Sequence, residues 1–150
     1  MSETGAETAS RPGPGPAPGL ATAEIGVFAR VFPAGPAEQV AAVIRGAGFR
    51  ATQLNLSALG RPTLDQELRA AEAGAIATAF SVAGVRIWGV SGTFNAVHPD
   101  PEARAAGIAG CRVVIQRASE LGAEVVTLCT GTRDPDDMWR AHPDNASPAA

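Results

Sequence analysis

Two segments of the chain combine polar side chains in the types and spacing that ligand binding requires. Residues 87–100 read IWGVSGTFNAVHPD, and residues 125–145 read VVTLCTGTRDPDDMWRAHPDN. In each segment a short apolar run gives way to hydroxyl, amide or arginine side chains, and each contains a closing His-Pro-Asp. This change is typical of a buried strand that emerges at the edge of a sheet, so we expect a ligand-binding rim at these two places.

The polar residues at the predicted rim favour a ligand rich in oxygen atoms. Hydroxyl and amide groups donate and accept hydrogen bonds, and arginine adds charged donors, which together suit a polyhydroxylated small molecule with or without a phosphate. The residues expected to contact it are Ser91, Thr93, His98, Thr130, Thr132, Arg133, Trp139 and His142. Arg30, Asn55, Asn95 and Asp134 are further candidates at strand ends. All of these residues also fit ordinary loops, and Asp134 also fits a simple helix cap.

Other kinds of chemistry fit these residues less well. Zinc could be bound by His98, His142, Cys129 and Asp134, but these residues lie in separate predicted loops without the regular spacing of a ligand set. The His-Pro-Asp tripeptide also occurs in chaperone J-domains, yet here each copy follows a predicted strand instead of linking two helices. The chain has no Gly-x-Ser-x-Gly elbow and no glycine signature for a dinucleotide or a P-loop.

Composition disfavours several classes of partner. The 150 residues include 12 basic and 15 acidic side chains, with a formal net charge of -3 and no basic run. We therefore expect neither nucleic acid nor a membrane surface as a partner. No apolar run reaches the roughly 18 residues that span a bilayer, and the acidic, Pro/Gly-rich start is unlike a signal peptide. We expect a cytoplasmic protein in which Cys111 and Cys129 are buried free thiols.

The elements that must position the rim alternate between strands and helices. Strands are predicted to begin near residues 25, 50, 86 and 124. The three intervening helices end at glycines, which are Gly48, Gly84 and Gly122. Strands that are connected through helices lie parallel. Four such βα units fit either an open doubly wound sheet or a partial (β/α)8 barrel.

Two finer predictions concern the second and third helices. Thr63 and Gln66 have the spacing of a capping box, which predicts that the second helix opens at Thr63. In the third helix, capped by Asp100 and Pro101, one face holds Ile108, Cys111, Ile115, Ala118 and Leu121. We expect that face to be buried.

The two ends of the chain differ from its middle. Residues 1–23 contain SRPGPGPAPG and can bury almost no apolar surface, so we expect a disordered leader followed by one domain over residues 24–150. Ser147 and Pro148 are typical of a helix start, three residues before the last position. This ending predicts the N-terminal half of a longer barrel, or a half-barrel that is completed by another subunit.

Three segments carry a resemblance to a known family. VSGTFNAVHPD, RAAGIAGCRVVIQRASELGA and VVTLCTGTRDPDDMWRAHPDN resemble the sugar phosphate isomerase/epimerase family, which has the xylose isomerase-like TIM barrel. The resemblance covers residues 24–150 and the first four units of that barrel. It implies an enzyme of carbohydrate metabolism that uses a divalent metal, Mg or Mn, to move a proton next to the carbonyl of a sugar or sugar-like substrate.

The resemblance implies no catalytic or metal-binding residue in this chain. In the family the metal ligands come from strands five to eight, so the chain is expected to be inactive alone. The family is also similar to zinc-dependent AP endonucleases, in which strands three and four end in histidine ligands. Ser91 and Cys129 occupy those places here, which disfavours DNA repair. The alternative is a non-catalytic half-barrel that binds a polyol or phosphosugar and closes by dimerisation.

Overall fold

The structure is a computed structural model that describes residues 24–147. Its strands are β1 (Gly26–Phe28), β2 (Ala51–Leu54), β3 (Arg86–Ser91) and β4 (Val125–Thr127), and its α-helices are α1 (Ala37–Gly46), α2 (Ala70–Val82) and α3 (Pro101–Arg117). Three short 3-10 helices cover Ala29–Val31, Leu56–Leu59 and Pro143–Ala146. The predicted leader, residues 1–23, and the predicted helix start at Pro148 lie outside the described residues.

The strand order distinguishes a barrel from an open doubly wound sheet. The four strands form one parallel sheet in the order β1-β2-β3-β4. A doubly wound sheet reverses its order at a switch point and carries helices on both faces. Here the order does not reverse among the described strands, and one core cluster contains residues from all three helices. The helices therefore cover a single face, as they do in a (β/α)8 barrel, and the predicted α/β class with parallel strands is confirmed.

The core lies between the sheet and the three helices. Leu54 and Val90 of the sheet are fully buried, as are Ile44 of α1, Phe80 of α2 and Val114 of α3. Burial of each such side chain stabilises the fold by roughly 1.5–3 kcal/mol. The predicted glycine ends of α1 and α2 are confirmed, because Gly48 and Gly84 directly follow the C-cap residues and have φ values of 94° and 72°. The predicted end of α3 at Gly122 is wrong, because α3 ends at Arg117 and turns connect it to Gly122, whose φ is 71°.

The predicted start of the second helix is wrong. Residues 63–67 form turns, and α2 begins seven residues after Thr63, at Ala70. Its first turn is closed by Glu72, whose Oε2 accepts from the Arg69 N–H at 3.0 Å. The bonds from Arg69 lower the pKa of Glu72 to about 2. Asp65 stabilises the turns instead, since it pairs with Arg61 at 2.6 Å.

The buried face of α3 also differs from the prediction. Cys111 and Leu121 are buried as expected and Ala118 is partly buried, but Ile108 and Ile115 are 44% and 52% exposed. The helix turns its glycines inward: a Cβ at Gly110 would lie 2.7 Å from Leu64 Cβ. The close approach of small residues therefore decides the orientation of α3, and the branched side chains of its predicted stripe face outward.

The face of the sheet opposite the helices is open. This open face consists of Gly26, Phe28, Ala51, Gln53, Arg86 and Trp88, which line a cleft of about 450 Å³ together with Glu24 and backbone of the sheet. Gln53 Nε2 donates to Thr127 Oγ1 at 2.5 Å. This bond connects β2 with β4 across β3, where Gly89 pairs with Gln53. At the amino end, Arg86 pairs with Glu24 at 2.6 Å and Glu124 at 2.5 Å.

Phe80→Ala tests the position of the core. Because Phe80 is fully buried in α2, its truncation should lower the free energy of unfolding by about 3–5 kcal/mol. Val82→Ala is the matched control in the same helix, since Val82 is 84% exposed, and it should change that free energy by no more than about 0.5 kcal/mol. Urea denaturation measures both, and similar losses for the two variants would contradict this packing.

Candidate functional site

Two loops leave the carboxyl edge of the sheet side by side. Loop 3 comprises residues 92–100, after β3, and loop 4 comprises residues 128–147, after β4. The Gly92 N–H donates to the Thr127 carbonyl at 2.9 Å, and the Ala96 N–H donates to the Thr130 carbonyl at 3.0 Å. The two polar segments that the sequence singled out therefore meet at one edge, where ligands bind in barrels of this kind.

Asn95 joins the two loops through its side chain. Its Oδ1 accepts from the Thr132 N–H at 3.2 Å. Gly131 makes this contact possible, because a Cβ there would overlap Asn95 Oδ1 and because its φ of 81° is in the left-handed region. Asn95 was one of several rim candidates in the sequence, but its bridging role depends on a glycine 36 residues later and has no local signal.

His98 makes a second bridge between the loops. Its Nδ1 accepts from the Asp100 N–H at 3.1 Å, which requires the proton of the neutral ring to be on Nε2. Nε2 lies 3.0 Å from the Pro135 carbonyl and donates to it. Both ring nitrogens are thus used within the chain, and contact of His98 with a substrate stays a prediction.

Thr132 and Asp134 hold the shape of loop 4. Thr132 is 9% exposed, and its Oγ1 accepts from the Asp134 N–H at 3.0 Å. Asp134 Oδ1 accepts from the N–H groups of Asp137 and Asp136 at 2.9 and 3.0 Å, and Oδ2 lies 3.1 Å from Arg140 Nη1. These bonds, led by the one from Asp137, lower the pKa of Asp134. Asp134 does not cap a helix, because bends and irregular backbone follow it and only residues 138–139 form a turn.

Arg133 is held by its backbone while its charge is left without a partner. Its N–H donates to Asn145 Oδ1 at 2.8 Å. Within residues 24–147 no acidic group pairs with its guanidinium, and both its Nε and Asn95 Nδ2 are buried without an acceptor. A buried donor without an acceptor costs about 1–3 kcal/mol. No local pattern indicates the contact with Asn145, which lies twelve residues downstream.

The remaining predicted residues lie at the same edge with different exposure. Ser91 is 4% exposed at the end of β3, and its Oγ is 3.5 Å from the Thr93 N–H. Thr130 is exposed, and Trp139 is 67% exposed. His142 Nδ1 accepts from the Asp144 N–H at 3.3 Å. Thr130 and Trp139 thus face solvent, and ligand contact by any of these residues stays a prediction.

The edge continues across the first two strands. Arg30 lies in the 3-10 helix that follows β1 and is exposed. Asn55 follows β2 and caps the next 3-10 helix, since its Oδ1 accepts from the Ser57 N–H at 3.0 Å. Arg30 is therefore available to a ligand, whereas the Asn55 oxygen already has a structural role. The cleft on the open face is separate from this edge. It lies on the side of the sheet that faces the interior of a closed barrel, where layers of side chains fill the space.

The residues present do not fit a metal site. Residues 24–147 contain no group of three or more His, Cys, Asp and Glu side chains that could hold a metal ion. Cys129 Sγ lies 3.9 Å from the Phe94 carbonyl, while His98 and Asp134 are engaged as described. Both cysteines are free thiols, as predicted, but only Cys111 is buried, whereas Cys129 is partly exposed. Burial raises the pKa of Cys111. Among the described helices, none has the length and apolarity to cross a bilayer.

Comparison with known proteins supports the barrel architecture independently of the strand order. Residues 41–148 match a family model described as the xylose isomerase-like TIM barrel. The match includes β2, β3, β4 and both loops. No curated protein matches the chain.

Asp134→Asn tests the electrostatic role of loop 4. Asparagine keeps an oxygen for the N–H groups of residues 136 and 137 but removes the charge opposite Arg140. Because folding lowers the pKa of Asp134, its carboxylate stabilises the fold near neutral pH, and this contribution is lost as the pH falls through the ordinary aspartate range. We expect a lower melting temperature than wild type at pH 7 and a smaller gap at pH 3.

Asp136→Asn is the matched control for this prediction. Asp136 is exposed and lies two residues away. Its substitution should leave the melting temperature within about a degree of wild type at both pH values, as expected for an isolated surface change. Thermal denaturation followed by circular dichroism measures all three proteins. A gap between Asp134→Asn and wild type that is as large at pH 3 as at pH 7 would exclude the charge as its cause.

Proposed function

The chain belongs to the xylose isomerase-like TIM barrel family, and we propose from this membership that it takes part in the isomerisation or epimerisation of a sugar or sugar-like substrate. Such a reaction moves a proton between carbons next to a carbonyl group. A divalent metal such as Mg²⁺ or Mn²⁺ would be held by residues other than those described here. The residues of this chain bind and orient the substrate.

The juxtaposition of loops 3 and 4 at the carboxyl edge carries this proposal. Ser91, Thr93 and Thr130 lie at or just after the ends of the adjacent strands β3 and β4. Their hydroxyl groups can donate hydrogen bonds to the hydroxyls of a sugar and accept hydrogen bonds from them. The exposed indole of Trp139 offers a flat apolar surface for a sugar ring. Because the Asn95 and His98 bridges fix the loops to each other, these groups are positioned before the substrate arrives, which lowers the entropy cost of binding.

The described strands supply half of a closed barrel. A (β/α)8 barrel has eight strands, and residues 24–147 form four. We propose that the other half of the mouth, with the acid and base groups, comes from further polypeptide, and that the four strands described here are inactive without it.

A second candidate function follows from the open face. Phe28 and Trp88 are 55% and 41% exposed there, and β1 and β4 each have one edge without a partner strand among the described residues. A second copy of the chain could supply four more strands, with β4 of each copy beside β1 of the other. The product would be a non-catalytic module that binds a polyol or phosphosugar.

Amide chemical shifts test the placement of substrate binding. A titration of the ¹⁵N-labelled chain with sorbitol, glucose and a sugar phosphate should shift the amide signals of residues 91–98 and 130–133, because these form the carboxyl edge. The amides of Gly48, Gly84 and Gly122 lie at the opposite edge and serve as the internal control. Shifts confined to the opposite edge, or no saturable shift with any ligand, would refute the proposed site.

Trp88→Arg separates the two candidate functions. If two copies close on their open faces, a charge in that interface should convert a dimer into a monomer in light scattering, whereas Val82→Arg on the outer side of α2 should leave the dimer intact. If the wild-type chain is monomeric, the module is excluded. Uptake of solvent deuterium next to a sugar carbonyl, catalysed by these 150 residues alone with Mn²⁺, would contradict both candidates.

A further inference from the structure

Two nitrogen atoms at the carboxyl edge need an acceptor that the described residues do not provide. Asn95 Nδ2 and Arg133 Nε are both buried and have no hydrogen-bond partner within residues 24–147. Buried polar atoms in native proteins are normally paired. Both atoms are donors, and one belongs to a cation. Their missing partner must therefore be an acceptor, and a negatively charged one is favoured.

Two backbone hydrogen bonds anchor the segment that carries these groups. The Thr132 N–H can only donate, so the atom that faces it at 3.2 Å must be the oxygen of Asn95, and Nδ2 must point elsewhere. Arg133 follows Thr132 directly, and its own N–H is fixed by Asn145 Oδ1 at 2.8 Å. One unpaired donor thus belongs to a side chain that binds this segment, and the other belongs to the next residue of the segment itself.

Three of the four acidic side chains of loop 4 are engaged with other groups, and the fourth, Asp136, is exposed and forms no ion pair with Arg133 among the described residues. Asp134 lies 3.1 Å from Arg140, and Asp137 accepts from the Trp139 N–H at 2.9 Å. The carboxylate of Asp144 lies 3.9 Å from His142 Nδ1. Of the two arginines in this loop, Arg140 has acidic partners and Arg133 has none among the described residues. The charge of Arg133 is therefore available to a ligand.

We propose that Asn95 and Arg133 form an oxyanion site for the phosphate or carboxylate group of the substrate. The guanidinium presents several N–H donors in one plane, which matches the oxygens of either group, and the asparagine amide adds a neutral donor. Arg133 is only partly buried, so an anion can reach its guanidinium from solvent. The site deepens the proposed function, on which it rests, by assigning an acidic sugar derivative as the substrate class.

Titrations with simple anions test this site in the complete 150-residue chain. Inorganic phosphate and acetate are added to separate ¹⁵N-labelled samples, with sodium chloride used to hold the ionic strength constant. We expect saturable amide shifts at residues 95 and 131–133. Arg133→Gln should weaken anion binding at least tenfold, whereas Arg112→Gln, an exposed arginine of α3, should leave it unchanged.

Asn95→Asp provides an independent variant. Aspartate keeps an oxygen for the Thr132 N–H but replaces the Nδ2 donor with an anionic oxygen, so anion binding should fall at least tenfold while the loops stay joined. Saturation by phosphate alone or acetate alone identifies the group, and saturation by both supports the general oxyanion site. No saturable shift in wild type, or wild-type affinity in Arg133→Gln and Asn95→Asp, overturns it.

The same titrations separate the oxyanion site from the proposed function. Neutral sugars that shift the carboxyl-edge amides while neither anion binds would remove the oxyanion site and leave the sugar-binding edge in place. Anion binding at residues 95 and 131–133 without any response to neutral or phosphorylated sugars would keep the oxyanion site and refute the sugar substrate.

Discussion

The parallel pairing of β3 with β4 is the constraint on which the candidate site depends. Gly89, Val90 and Ser91 pair with Val125, Val126 and Thr127 in one register. The α3 crossover imposes the parallel direction, since a chain that leaves one end of a sheet must return through a connecting segment to start again at the other end. An antiparallel pair would send loops 3 and 4 to opposite edges, and none of their contacts could form.

Small residues turn this pairing into a specific arrangement of side chains. Gly131 brings its backbone against Asn95. Gly110 brings α3 close to Leu64. In each case the absence of a side chain allows a contact between elements that are far apart in sequence. The geometry of the carboxyl edge is thus determined as much by glycine positions as by the polar residues themselves.

The sequence predicts the architecture better than the contacts within it. Glycine positions and apolar periodicity predict the four strands and the ends of α1 and α2, because these are local properties. The prediction that α2 starts at Thr63 is wrong. The ion pair between Asp65 and Arg61 stabilises turns there instead of a capping box. The prediction that Ile108 and Ile115 are buried is wrong because the packing of Gly110 against Leu64 turns those two side chains outward. This packing is a tertiary contact, which no window of sequence contains.

The candidate site shows the same division. Polar residues after strands three and four were recognised from their position, and the structure brings them to one edge. Their internal partners were not recognisable, because the contacts of Asn95 with Thr132 and of Arg133 with Asn145 join separate segments. His98 illustrates the consequence: a residue expected to face a ligand uses both ring nitrogens to hold two loops together.

The central claim is that loops 3 and 4 form one ligand-binding edge in a xylose isomerase-like barrel. A crystal structure of the chain with a bound sugar phosphate tests it most directly. The account predicts ligand density in contact with both loops at the carboxyl edge of the sheet. Density at the opposite edge, or loops that are apart in the crystal with Asn95 remote from Thr132, would contradict it.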